Sequence, residues 1–178
     1  EITASDWSSD VCSSDLTADA DVEKVDGIPL TRTDRGPAFR ATDDPPNGGG
    51  EGELADQAIA ALRYLKTNAQ PFFLAVGFHK PHLPFSVPKY YWDLYDPEQI
   101  PLAPNRFLPK DAPSYALADK NELWSYSGVP DVSSLPEWYA RQLKHGYYAA
   151  VSYMDAQLGR VLDAVDRLGL RDNTLIVF

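Results

Sequence analysis

The clearest hydrophobic pattern in the chain lies near its C-terminal end, where apolar residues recur at helical spacing. Ser134, Pro136 and Glu137 form a capping-box start with a proline in the first turn. The stripe that follows runs as far as Gly169 and consists of Leu143, Tyr147, Val151, Met154, Leu158, Leu162 and Val165. This spacing predicts a long amphipathic helix. Gly159, within the same stretch, suggests close helix packing.

A second helical pattern covers residues 53–68, with Leu54, Ala58, Ala61, Leu62 and Leu65 on one face. Two continuous apolar runs, PFFLAVGF at 71–78 and TLIVF at 174–178, predict strands buried on both faces, as in a parallel sheet. Pro88 opens a short helical segment. Helix, strand, loop, long helix and strand in this order predict an α/β fold with a mostly parallel sheet.

Two long stretches lack a regular pattern. Residues 17–52 are polar and rich in Asp, Gly and Pro, which predicts a loop region. Residues 96–135 are rich in proline, and their aromatic residues favour an ordered loop held down by those side chains over a sugar-binding surface: Tyr115, Trp124 and Tyr126. The acidic positions Glu51, Glu53 and Asp56 are expected to be solvated, near a helix N-terminus.

The segment DWSSDVCSSDL, residues 6–16, contains the single cysteine of the chain. Back-translation of this segment gives codons that match a widely used sequencing adapter, so we interpret residues 1–16 as a non-native, adapter-derived segment and leave them out of fold reasoning. Cys12 has no neighbouring base in the sequence and is not a predicted nucleophile.

The net charge of the chain is −10, and removing residues 1–16 takes away four carboxylates and no base, which leaves −6. This acidic balance argues against nucleic acid or an anionic membrane surface as a partner. The sequence contains no apolar run of the roughly 18 residues that a membrane-spanning helix needs.

Candidate chemistry lies directly after the run at 71–78, where ligands gather at the carboxyl ends of strands. His79, Lys80 and His82 place two imidazoles and an ammonium within four residues, stiffened by Pro81 and Pro84. Such a cluster suits an anionic group, and a solvated basic turn is an equally good interpretation. No further His or Cys accompanies it to favour a metal site. His145, inside the long helix, is predicted to be a packing or surface residue.

Several blocks resemble the sulfatases, in particular the iduronate-2-sulfatase-like branch: PFFLAVGFHKPHLPF, VPKYYWDLY, IPLAP and HGYYAAVSYMDAQLGRVLDAVDRLGLRDNTLIVF. The resemblance implies a partial alkaline-phosphatase-like α/β/α sandwich with a mostly parallel mixed sheet. Residues 53–178 would be the central part of the catalytic domain, truncated at both ends. The implied reaction is hydrolysis of a sulfate ester on a sulfated sugar or glycosaminoglycan, with calcium and formylglycine as cofactors. The implied location is extracytoplasmic: periplasmic, secreted or lysosomal.

By this resemblance, His82 matches the catalytic histidine that contacts the sulfate and protonates the leaving alcohol. Lys80 matches a substrate contact, and His79 either contacts the substrate or shapes the loop. Cys12 lies outside a C/S-x-P-x-R motif, and no metal ligand is predicted in the chain. The fragment itself is therefore expected to bind no calcium and to be inactive. Alternatives are a phosphatase or phosphodiesterase of the same superfamily and a noncatalytic carbohydrate-binding domain.

Overall fold

The computed structural model describes residues 24–68, 70–105, 109–113, 115 and 121–178. Cys12 and the segment 1–16, interpreted as adapter-derived, lie outside these residues. The chain divides into two compact units. Among the described residues, the first unit comprises those within 24–38 and 103–139, and the second unit comprises those within 39–102 and 140–178.

Both predicted long helices are present. Helix α1 is Gly49–Asn68, so it begins four residues before the predicted start. Helix α3 is Glu137–Arg167. Gly169 has a φ of +63°, and the Leu170 amide donates to the Val165 carbonyl at 3.0 Å, which closes the last turn of α3. This left-handed C-terminal cap explains why the helix stops where the glycine predicts.

A parallel strand pair forms the sheet of the second unit. Strand β3, Phe39–Thr42, pairs with β4, Phe85–Pro88, in a register that aligns Phe39 with Phe85. Helix α2, Lys89–Trp92, follows β4 directly, as Pro88 indicates. The parallel pair and the helices confirm the α/β class, although neither β3 nor β4 is evident from the sequence pattern.

The apolar run 71–78 differs from its prediction. It forms no strand with any residue that the structure describes, and Phe73 is 92 % exposed. Its other face packs against the α1–α3 cluster, which consists of Ala55, Ala58, Leu62, Val161, Ala164 and Val165. The run supplies Phe72, Leu74, Val76 and Phe78 to this contact. The prediction that this run is a strand buried on both faces is therefore wrong. A strand forms only where a neighbouring strand exchanges backbone hydrogen bonds with it.

The C-terminal run behaves in the same way. Residues 174–178 form no strand among the residues described, and the side chains of Leu175, Val177 and Phe178 are almost fully exposed. The strand predicted here is also wrong for this chain. As for 71–78, the described residues supply no partner strand to complete its hydrogen bonds.

A second cluster lies where α3 crosses the parallel strands. This strand cluster consists of Phe85, Val87, Tyr91, Ala149, Ala150 and Tyr153. A Cβ atom at Gly146 would lie 2.9 Å from the Phe85 Cβ and 3.1 Å from the Phe39 Cβ, so the helix approaches both strands closely there. Gly159 has nothing within 4 Å of its Cβ position, so the close contact predicted at Gly159 is wrong.

His145 is a buried packing residue of α3. Its ring lies 4.3 Å from the Trp92 ring, between centroids, and its Nε2–H donates to the Trp92 carbonyl at 2.8 Å. The imidazole therefore fixes α2 against α3.

The first unit is built from short strands and from hydrogen bonds between segments that are far apart in the sequence. Strands β1, Lys24–Val25, and β2, Ile28–Pro29, pair antiparallel around the turn at Asp26 and Gly27. With β3 and the first turn of α1, they correct the prediction that residues 17–52 are loop, as far as that segment is described. Short strands in an Asp-, Gly- and Pro-rich context give no alternating pattern to find.

The proline-rich stretch 96–135 contains three aromatic residues of the first unit that are predicted to anchor it. Two of them do so. The Trp124 indole donates to the Pro130 carbonyl at 3.2 Å, and Tyr126 is buried beneath the Arg35 guanidinium. Tyr115 is almost fully exposed. No helix in the described ranges combines the length and hydropathy that crossing a bilayer would require.

Candidate active-site loop

The predicted site residues lie on the loop 79–84, which joins the apolar run 71–78 to β4. The His82 amide donates to the His79 carbonyl at 3.0 Å, which folds the loop into a turn. The Lys80–Pro81 and Leu83–Pro84 peptide bonds are cis. Each of the prolines that the sequence marks as stiffening elements thus lies at a bend of the loop.

A buried carboxylate holds the start of this loop. Glu51, in the first turn of α1, is only 5 % exposed. Its Oε2 accepts the His79 amide at 3.2 Å, and its Oε1 accepts the Lys80 amide at 3.0 Å. Charged acceptors strengthen hydrogen bonds to backbone amides, and the N-terminus of α1 favours a carboxylate at this position. Glu51 therefore fixes the backbone from which the two basic side chains extend.

The chain around Glu51 is held in turn by Tyr153 of α3. The Tyr153 hydroxyl donates to the Gly48 carbonyl and accepts the Gly52 amide at 3.1 Å. A Cβ atom at Gly52 would lie 2.0 Å from the Asn47 carbonyl oxygen, so only glycine fits this corner. Burial raises the pKa of Tyr153 to about 12, which keeps the phenol neutral and able to donate.

Two further side chains of α3 complete this support. Gln157 is fully buried and donates from Nε2 to the Pro46 carbonyl at 3.2 Å and to the Tyr91 hydroxyl at 3.3 Å. Arg160 donates to the Gly52 carbonyl at 3.3 Å and to the Gln157 amide oxygen at 2.8 Å. Burial also raises the pKa of Tyr91. Tyr153, Gln157 and Arg160 thus hold the residues before and within the first turn of α1. The Glu51 side chain extends from this turn to the loop.

The three predicted side chains converge on the second half of the loop. Lys80 Nζ donates to the Pro84 carbonyl at 2.9 Å. His79 Nε2 and His82 Nδ1 lie 3.2 and 2.8 Å from the Leu83 carbonyl oxygen, and the two ring centroids are 5.1 Å apart. A carbonyl oxygen only accepts, so both nitrogens carry hydrogen. His82 therefore has its Nδ1–H held by the backbone, and Nε2 is its other ring nitrogen.

His82 and His79 are exposed side chains, and Lys80 is half-buried. The structure therefore brings all three predicted residues together at the protein surface, on a backbone held from beneath. An exposed imidazole beside an ammonium can contact an anion directly.

Glu51 is the residue that sequence reasoning missed. The expectation that Glu51 is solvated is wrong, whereas Glu53 and Asp56 are exposed as expected. The only sequence signal is an acidic residue flanked by glycines at the start of a helix. Its partners lie 28 and 29 residues further along the chain, so local pattern does not reveal them.

The described residues do not form a site for the metal that the resemblance implies. Across the ranges that the structure covers, no group of three or more His, Cys, Asp or Glu side chains is placed to hold a metal ion.

Comparison with known proteins places these features in a family. The family model described as Sulfatase matches residues 12–178. Iduronate 2-sulfatases of Mus musculus and Homo sapiens are each 40 % identical over 139 residues, which cover 72 % of this chain and 25 % of each relative. A sulfatase of Formosa agariphila is 38 % identical over 123 residues, covering 65 % of this chain and 22 % of that protein. The chain thus spans about a quarter of the length of these relatives. It belongs to the sulfatase family.

Proposed function

We propose that this chain is the central part of the catalytic domain of a sulfuric ester hydrolase, and that the loop 79–84 contacts the sulfate ester. The observation that carries the proposal is the loop geometry: one buried carboxylate holds the amides of His79 and Lys80, and three donor side chains converge beside them. Family membership and similarity to iduronate 2-sulfatases support a sulfated sugar or glycosaminoglycan as the substrate and an extracytoplasmic location.

In this proposal, His82 is the general acid. Its Nδ1–H is held by the Leu83 carbonyl, so the ring orientation is set and Nε2 delivers the proton to the leaving alcohol oxygen as the ester bond breaks. Imidazole suits this step because it gains and loses a proton near neutral pH.

Lys80 and His79 have the supporting role. A sulfate ester under attack spreads negative charge over its oxygens, and donors already fixed in place stabilise that charge at little reorganisation cost. The Lys80 ammonium donates to the Pro84 carbonyl, which places its positive charge at the second half of the loop. His79 completes the cluster, either by contacting the ester or by holding the loop against the Leu83 carbonyl.

The proposal also assigns formylglycine and calcium to the longer enzyme, as the family resemblance implies. The modified residue would be the nucleophile, and it would lie outside the residues described here.

The test is His82→Ala in the enzyme obtained by extending the reading frame past both ends of this chain. We expect kcat on a poorly activated sulfate ester to fall by on the order of 10² to 10³, because the leaving group loses its proton donor. Lys89→Ala is the control, since Lys89 is exposed and pairs with Asp93 outside the loop.

Three results would contradict the proposal. A His82→Ala enzyme that keeps full kcat would remove His82 from the chemistry. A parent that cleaves phosphate esters in preference to sulfate esters would make the chain part of a phosphatase or phosphodiesterase. A parent that binds a sulfated saccharide without releasing sulfate would be a noncatalytic binding protein.

A further inference from the structure

A groove of about 600 Å³ runs between α1 and α3 in the second unit. We call it the arginine groove and define it by six of its lining residues: Asp56, Ile59, Arg63, Arg160, Arg167 and Leu168. The lining residues therefore include three arginines and one aspartate, and Arg167 also pairs with Asp163, in a chain whose net charge is −10. Positive charge concentrated in a concave surface attracts anionic ligands.

The three arginines are not equivalent. Arg160 is occupied by the protein: it pairs with Asp56 and donates to the Gly52 carbonyl and to Gln157. Arg160 therefore shapes the wall of the groove and neutralises the carboxylate that would repel an anion.

Arg63 and Arg167 are the arginines available to a ligand. Arg63 is exposed and makes no hydrogen bond or ion pair with any residue that the structure describes. Arg167 pairs at 3.1 Å with Asp163 one turn away, and both side chains are exposed. Exposed pairs of this spacing contribute little stability, so a ligand anion can replace the aspartate at little cost.

The floor of the groove is apolar. Ile59 and Leu168 line it and pack, partly buried, against the α1–α3 cluster. An anion with an organic frame therefore fits the groove better than a free ion does, because the frame covers the floor while its charged groups reach the guanidinium groups.

One end of the groove adjoins the support of the candidate active-site loop, because Arg160 donates to the Gly52 carbonyl, but Arg63 lies further along α1. Arg63 lies twelve residues after Glu51 on α1, which corresponds to roughly 18 Å along the helix axis. One anionic group cannot reach both places, but an extended saccharide that carries several sulfate groups can.

From these observations we propose that the arginine groove binds a sulfate group of an extended, multiply sulfated saccharide through Arg63 and Arg167. The identity of the ligand rests on the proposed function, whereas the anionic character of the site rests on the groove alone. Guanidinium groups bind sulfate oxygens through paired charge-assisted hydrogen bonds.

The experiment measures binding to the whole 178-residue chain. The probe is a fluorescein-labelled, heparin-derived tetrasaccharide, read by fluorescence anisotropy at low ionic strength, where exposed charges are least screened. The groove variant is Arg63→Glu with Arg167→Glu. The matched control is Lys89→Glu with Arg171→Glu, which makes the same change in charge at exposed residues outside the groove.

We expect Kd to rise at least about tenfold in the groove variant and less than about threefold in the control. Arg63→Ala with Arg167→Ala must weaken binding in the same direction, which covers the case in which charge reversal disturbs folding. An equal loss of affinity in the groove variant and the control would overturn the proposal, because it would show attraction to overall charge.

Competition distinguishes the ligand chemistry. A tetrasaccharide without sulfate is expected not to displace the probe, because it offers the guanidinium groups no anionic group to bind. Displacement by the tetrasaccharide without sulfate, at the same concentration as the sulfated one, would overturn the proposal.

Different results would contradict the groove assignment and the proposed function. If the groove variant binds the probe like the wild type while His82→Ala loses activity in the longer enzyme, only the groove assignment falls. If the groove variant loses affinity while the longer enzyme releases no sulfate from a sulfate ester, the anionic site stands, its assignment to a sulfatase substrate is lost, and the proposed function falls.

Discussion

Two apolar segments flank the candidate active-site loop, and they have different structures. The segment before the loop, residues 71–78, is the stronger hydrophobic run but forms no strand among the described residues. The segment after it, β4, has only four residues and is paired with β3. Phe73 of the first segment is 92 % exposed, whereas Phe85 of β4 is 9 % exposed.

The difference shows that a hydrophobic run and a strand are not the same thing. Apolar side chains determine which face of a segment packs, and both segments pack one face against helices. A strand also needs a neighbour that exchanges backbone hydrogen bonds with it. Phe39–Thr42 supplies that neighbour to β4, and no described residue supplies one to 71–78.

An alanine substitution in each segment tests this comparison, and one of the two is expected to have the largest effect. Phe85→Ala should lower the free energy of unfolding by about 3 to 5 kcal/mol, because it empties a site in the strand cluster. Phe73→Ala should change it by less than about 0.5 kcal/mol, since the exposed ring has little packing to lose. Urea unfolding followed by circular dichroism measures both changes. Equal losses would show that Phe73 is covered in solution.

Much of the helical framework could be predicted from the sequence, because helices depend on local spacing. The end of α3 follows from Gly169, whose positive φ satisfies the last carbonyls of the helix. The pairing of β3 with β4 could not be predicted, because Phe39 and Phe85 are 46 positions apart and each strand has only four residues. Nonlocal pairing of short strands leaves almost no trace in local pattern.

The next largest effect concerns α3, which contacts both segments. Gly146→Ala should destabilise the chain by about 1 to 2 kcal/mol, because the added methyl group collides with Phe85 and Phe39. Gly159→Ala, on the same helix, should stabilise it by up to about 1 kcal/mol, since nothing lies within 4 Å and alanine favours the helix. Opposite signs in urea unfolding are the expected result. Stabilisation by Gly146→Ala would mean that α3 stands further from the strands.

The candidate site was predictable to a similar degree. The three predicted side chains cluster because they lie within four positions of one another in the sequence: His79, Lys80 and His82. Pro81 and Pro84 indicate a turn there. Glu51 was missed because its role comes from a contact between the first turn of α1 and a loop 28 residues away. An acidic residue at a helix start is usually solvated, and only tertiary structure reveals that this one is buried.

The smallest expected effect lies in the loop that joins the two segments. Glu51→Gln replaces one acceptor oxygen with an amide that faces a backbone N–H, so one of the amides of His79 and Lys80 loses its partner. We expect a loss of about 1 kcal/mol in local stability, which corresponds to roughly fivefold faster hydrogen exchange at those amides. The amides of β4 should change less, because their ladder with β3 is intact.

Glu53→Gln is the matched control, since Glu53 lies in the same part of α1 with an exposed side chain. It should leave hydrogen exchange at the amides of His79 and Lys80 unchanged. This result separates the contact of Glu51 with these amides from a general effect of charge at the helix N-terminus. If both variants accelerate exchange equally, Glu51 acts through its charge on α1 and does not hold the loop. If exchange rises only in Glu51→Gln, the loop depends on a contact that neither flanking apolar segment provides.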